Sequence, residues 1–149
     1  HRRMLWSVSG CAGRFLPWRE PYEAIAALPE YGDALVLPVL ADGKSLRALP
    51  DTGATETLLG APGVIRLGLE GPGASAGAVR GFGTRARPAW EVRLSSLRVG
   101  DQVERGVPVL ATWLRLYPVV DMLLGADWFS ARRVWLSYAT KQVFVSHAQ

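Results

Sequence analysis

Thiols and imidazoles are nearly missing from this chain of 149 residues, which has one cysteine, Cys11, and two histidines, His1 and His147. A single thiol excludes an internal disulfide framework and a Cys-rich metal site, and it matches the usage of a reducing compartment. Histidines confined to the two ends exclude a His-based triad or a zinc site, because either needs an imidazole held by packed neighbours. No metal and no cofactor is therefore expected. Lysine is scarce as well, being present only as Lys44 and Lys141, so the net charge of +4 rests on arginine. Those arginines are scattered (Arg2, Arg3, Arg14, Arg66, Arg80, Arg85, Arg87, Arg132 and Arg133) rather than gathered on one periodic stripe. With no nucleic-acid module beside them, they read as a solvated basic surface and not as a nucleic-acid interface. No apolar run approaches the roughly 18 residues of a membrane span.

What is present is the make-up of a globular domain: 49% hydrophobic residues, 20% charged residues, 16 glycines and 10 prolines. At this length a chain buries on the order of two-thirds of its unfolded surface, enough for a core without staples. The chain begins at His1 and not at methionine, which points to a processed form or to a piece of a longer protein. Val8-Ser9-Gly10-Cys11 follows Arg2-Arg3 in the manner of a lipobox, but the apolar part, Met4 to Val8, is shorter than the ~7–15 residues of a signal core. A soluble, cytoplasmic domain is expected, with an envelope-tethered form as the alternative. Residues 1–30 read as an arm or linker. Within it, Glu20 to Leu28 carries Pro21 at a first helical position and apolar residues at helical spacing, which predicts a short helix closed by Pro29.

From residue 31 to 149 the pattern changes to short β-type runs cut by turn signals. Ala34–Leu40 and Lys44–Leu49 flank Asp42-Gly43, a hairpin signal. A second hairpin is predicted across Gly100-Asp101, between the alternating run Trp90–Leu94 and Val107–Leu110. Val119–Leu124, Val134–Tyr138 and Gln142–Val145 read as further strands, and Asp127–Arg132 as a short helix with its acid first and its base last. Two misleading motifs fail on context. Gly73-Ala74-Ser75-Ala76-Gly77 spells a nucleophile elbow, yet no apolar strand leads into it and no interior histidine exists to serve as base. Gly71-Pro72-Gly73-Ala74-Ser75-Ala76 approximates a dinucleotide fingerprint without its strand-turn-helix setting.

Chemistry begins at Asp51-Thr52-Gly53-Ala54, directly after the run ending at Leu49. An acid followed by a short hydroxyl residue and glycine is well built to present a carboxylate on a tight loop, although by itself it equally describes an Asx-type turn. Some seventy residues later comes Asp121-Met122-Leu123-Leu124-Gly125-Ala126-Asp127-Trp128-Phe129, two hydrophobics and a glycine running into a helix. In order and separation these two segments resemble those of the retropepsin-like, or retroviral-type, aspartic proteases, and more closely their bacterial branch. The resemblance spans roughly Tyr31 to Val145 and implies an all-β fold, a closed antiparallel acid-protease barrel with one or two short helices. It implies an aspartic endopeptidase with Asp51, Thr52 and Gly53 as the catalytic loop, and Leu123, Leu124 and Gly125 packed beneath it. Ala54 and Thr55 would touch substrate, as would Gly81, Phe82 and Gly83 if Gly77 to Arg87 is the flap; the residues alone equally allow a surface loop there.

The chemistry so implied needs two carboxylates sharing a proton around a water. Only Asp51 has the Thr-Gly context; Asp33, Asp42, Asp101, Asp121 and Asp127 read as turn, cap or edge residues. The second carboxylate must come from another copy in a homodimer, with Thr52 of each loop bracing the other, or from a second lobe in a longer chain. The expected partner besides is a peptide or protein substrate. One departure stands out: Pro50 occupies the place where the family usually has an aliphatic residue, and it has no N–H for a sheet. It raises the alternative of a catalytically inactive module that keeps the fold for dimerisation or peptide binding.

Overall fold

In the computed structural model, which describes residues 4, 21–71, 75–79 and 86–147, the first regular element is strand β1, Glu23–Ala26. The helix predicted over Glu20–Leu28 is thus corrected to a strand. A helix of this length is marginal on its own, and the segment instead pairs antiparallel with the end of the chain, Ile25 opposite Val143, where both side chains are buried. A 3-10 turn at Pro29–Tyr31 follows. The remaining elements are β2 (Leu37–Ala41), β3 (Lys44–Pro50), β4 (Leu58–Leu59), α1 (Ala61–Leu67), β5 (Ser75–Val79), β6 (Arg87–Val99), β7 (Gln102–Thr112), β8 (Met122–Leu124), α2 (Ala126–Ser130), β9 (Arg132–Ser137) and β10 (Gln142–His147).

Both predicted hairpins form. Asp42 and Gly43 take left-handed backbone, φ 49° and 76°, as the two-residue turn between β2 and β3 demands. Gly100 at φ 61° turns β6 into β7, whose pairing runs from Val99↔Gln102 to Ala89↔Thr112, far longer than the alternation in sequence suggested. The strand expected from Ala34 begins only at Leu37, because Val36 spends its carbonyl on the Leu28 N–H and Ala34 its N–H on the Tyr31 carbonyl. Likewise the run Val119–Leu124 contributes only Met122–Leu124 to the sheet, where pairing with β3 begins at Ala48↔Met122. Helix α1 was not anticipated, although Pro62 in its first turn and Gly68 at φ 71° after its end are ordinary helix-boundary residues.

The order β2-β3-β8-β4-β7-β6 is closed by a direct β2–β6 pairing, Val39↔Val99, which makes a six-stranded barrel with β5 appended to β6. Leu37, Leu46, Leu59, Leu94, Met122 and Leu124 fill it, each essentially without exposure. A separate sheet, β1-β10-β9, lies against this core through Ile25, Val143 and Val145. No helix among the described residues is long and apolar enough to cross a membrane.

Candidate active site

Three strand ends converge on Asp51. β3 runs parallel to β8, in register Ala48↔Met122, Leu49↔Leu123 and Pro50↔Leu124, and β8 runs antiparallel to β4, Leu58↔Leu123. The chain leaves β3 at Pro50, makes the loop Asp51 to Thr57, and returns as β4 on the other side of β8. Asp51 is held at both ends of its own peptide: its N–H donates to the Leu124 carbonyl at 2.9 Å, and its carbonyl accepts from the Ala54 N–H at 3.2 Å. Its carboxylate is half-buried, and Oδ1 accepts the Gly53 N–H at 2.8 Å. That bond explains the glycine sterically, since a Cβ at Gly53 would stand 3.1 Å from the same Oδ1.

Pro50 fits this arrangement. The β2–β3 ladder ends at Leu37↔Ala48, so by Pro50 the strand has only β8 beside it, and the bond into β8 comes from the next residue, Asp51. The missing N–H falls where the loop does not need one.

Leu123, Leu124 and Gly125 lie directly under the loop. Leu124 is fully buried and supplies the carbonyl that Asp51 binds, Leu123 pairs with Leu58, and Gly125 is buried against the loop's backbone. A Cβ on Gly125 would come within 2.4 Å of the Glu56 carbonyl carbon and 2.8 Å of the Thr57 nitrogen. The contact is continued by the Ala126 N–H, which donates to the Ala54 carbonyl at 2.8 Å.

Thr57 is the residue that the sequence reading passed over. It is 2% exposed, and its N–H and hydroxyl both donate to Asp127, to Oδ2 at 2.9 Å and Oδ1 at 2.8 Å. The same hydroxyl accepts the Gly125 N–H at 3.2 Å. Asp127 therefore does more than accept the N–H of the next residue, Trp128, at 2.7 Å: it closes the loop. A threonine six positions after Asp51 and an aspartate two after Gly125 were the signal, but nothing local pairs them.

Asp121 needs a correction. It is no turn or edge residue but a fully buried carboxylate at the entry to β8. Arg47 grips it with its backbone N–H at 2.9 Å, Nε at 2.8 Å and Nη2 at 3.2 Å, and Arg66 of α1 adds Nε at 3.2 Å. Burial alone would raise the Asp121 carboxyl, but the hydrogen bonds and charge of Arg47, with help from Arg66, outweigh it and hold it below the usual carboxylate range.

Thr52, Gly53 and Thr55 are exposed at the loop's surface, and Ala54 is half-buried. β5 and the start of β6 form an antiparallel stem, Val79↔Arg87, while Gly81, Phe82 and Gly83 lie outside the described residues. Among the described residues no group of three or more His, Cys, Asp or Glu side chains is placed to hold a metal.

Residues 37–128 match the family described as aspartyl protease. In fold the chain is similar to a retropepsin-like aspartic protease from Rickettsia conorii, with a TM-score of 0.62 at 14% identity over 85% of this chain and 91% of that one. It is similar as well to the retroviral protease-like domain of Ddi1 from Leishmania major, TM-score 0.51 at 12% identity, covering 69% of this chain and 80% of the other. The EIAV protease complexed with the inhibitor HBY-793 gives a TM-score of 0.52 at 20% identity, covering 68% and 89%. No curated protein matches the sequence.

Proposed function

Because the chain belongs to the aspartyl protease family, we propose that it is an aspartic endopeptidase in which Asp51 of each of two protomers activates a water between them. The observation that supports this most is the loop itself: a half-buried aspartate on a backbone pinned at Leu124, with a loop N–H on one of its carboxylate oxygens. Thr52 stands exposed beside it, available to a facing loop.

Two such carboxylates about 3 Å apart cannot both ionise readily, so one proton is shared between them. The ionised member takes a proton from the water as its oxygen attacks the scissile carbonyl carbon, and the protonated member donates to the carbonyl oxygen. The product of that step is a neutral tetrahedral diol. In its collapse the C–N bond breaks as the nitrogen takes the proton of the protonated carboxyl and a diol hydroxyl gives its own to the carboxylate, so the pair again shares one proton and no covalent enzyme intermediate forms. The hairpin whose stem is Val79↔Arg87 would carry Gly81, Phe82 and Gly83 over the substrate and exclude water.

The test is cleavage of a mixed peptide library across acidic and neutral pH, by the unaltered chain, by Asp51→Asn, and in the presence of a statine-type inhibitor. Cleavage is expected only from the unaltered, uninhibited protein; persistence in Asp51→Asn would remove the mechanism. Sedimentation separates the sources of the second carboxylate. A dimer fits the symmetric site, and mixing in excess Asp51→Asn chain should then titrate activity away, whereas a strict monomer would require a second lobe. A dimer that cleaves nothing under any condition would favour the binding module.

A further inference from the structure

The structure assigns to Asp121 a positioning role for Asp51: it locks the register in which β3 delivers the candidate catalytic loop, a role that rests on the function proposed above. Asp121 is the residue where the three chain segments of the site meet. Its N–H donates to the Arg47 carbonyl at 2.9 Å while its carboxylate takes the Arg47 N–H, so both backbone groups of one β3 residue are committed to it. Its carbonyl accepts the Gly60 N–H at 3.0 Å, where β4 passes into α1. The same carbonyl lies so near Gly63 that a Cβ there would stand 2.3 Å from it, leaving α1 no room to slide.

From this point β3 and β8 run side by side to the loop, and the last bond of the pair is the Asp51 N–H on the Leu124 carbonyl. A parallel pair of only three register positions is weakly specified by pairing alone, and a slip by one residue would turn every side chain to the opposite face. The bidentate grip of Arg47 on Asp121 is directional as well as charged, so it fixes where along β8 the strand can sit. A buried carboxylate with four N–H donors is costly to assemble and is strongly disruptive when one partner is removed.

The test uses backbone amide hydrogen exchange, measured in an Asp51→Asn background so that it does not depend on cleavage, together with kinetics in the active background. In Asp121→Asn, and more in Asp121→Ala, exchange at the position-51 amide should quicken about tenfold beyond any change at the Val143 and Val145 amides, which report global opening. Arg47→Lys, which keeps a charge and the backbone N–H but loses the fork, should fall between and covers the case in which an Asp121 variant fails to fold. Arg66→Met removes one of the four donors, from a side chain 48% exposed, and should quicken position 51 less than Arg47→Lys does. In the active background, kcat per inhibitor-titrated site should fall by roughly a hundredfold while KM stays within about threefold, as misplacement of a reacting group predicts. If position 51 exchanges only in step with Val143 and Val145, or if activity falls only with the folded fraction, the positioning role is overturned. Should the unaltered chain cleave nothing, the proposed function falls and the exchange comparison alone still decides this inference.

Discussion

Two glycines within the candidate site make opposite predictions when each is given a single methyl group. At Gly125 the new Cβ would lie 2.4 Å from the Glu56 carbonyl carbon, 2.5 Å from its oxygen and 2.8 Å from the Thr57 nitrogen, all backbone atoms. Ordinary contact requires roughly 1 Å more, and Thr57 cannot retreat without breaking its bonds to Asp127. The backbone at Gly125 is extended, φ −86° and ψ −172°, a conformation alanine accepts, so the whole effect is steric. Overpacking of this kind costs about 1–3 kcal/mol, with the rigid backbone placing Gly125→Ala toward the upper end. For a domain of this size that amounts to a fall in Tm of roughly 5–10 °C. At Gly53 the nearest atom is instead Oδ1 of Asp51 at 3.1 Å, a side-chain oxygen that can move by a few tenths of an ångström. Gly53→Ala should therefore leave Tm within about 2 °C, as exposed substitutions do, while peptide cleavage drops sharply because the displaced group is the candidate catalytic carboxylate. Calorimetry beside a cleavage assay reads both. A Gly125→Ala protein as stable as the original, or a Gly53→Ala protein that melts early yet cleaves normally per folded molecule, would refute the packing described for this loop.

The clamp between Thr57 and Asp127 predicts that Thr57→Val, which keeps the shape but strips the hydroxyl from Asp127 and from the buried Gly125 N–H, costs about 1–3 kcal/mol in urea unfolding. Thr57→Ser should restore most of it, and equal stability of the two variants would mean that the hydroxyl holds nothing. Asp121 sets a pH dependence whose sign follows from its lowered carboxyl. The unfolded chain binds this proton near pH 3.9 and the folded chain only at lower pH, so its contribution is complete above about pH 5 and is lost as pH falls through 3.9 toward the folded value. The urea midpoint of Asp121→Asn should therefore fall less between pH 5 and strong acid than that of the unaltered chain; parallel acid limbs would contradict the assignment.

The parts of the site that could be read in the sequence are those written as contiguous strings. Asp51-Thr52-Gly53 and Leu123-Leu124-Gly125 each carry their own turn or strand end, with Gly53 set against the Asp51 carboxylate and Gly125 where another backbone must approach. The parts that could not be read depend on which strings meet. Asp121 looks polar and therefore superficial until β3 brings Arg47 to it across 74 positions of chain, and Thr57 has no visible task until Asp127 arrives from 70 positions away. β1 misleads for the same reason: its residues have helical spacing, and only pairing with β10 at the far end of the chain makes a strand the better use of Ile25. α1 carried both boundary signals, Pro62 and Gly68, but its seven residues hold too few apolar positions to show a period. The burial of Asp121 thus follows from the parallel β3–β8 pairing, and that of Thr57 from the antiparallel β4–β8 pairing that brings it to Gly125 and Asp127. In this fold the local strings build the loop, and the long-range polar contacts determine where its carboxylate stands.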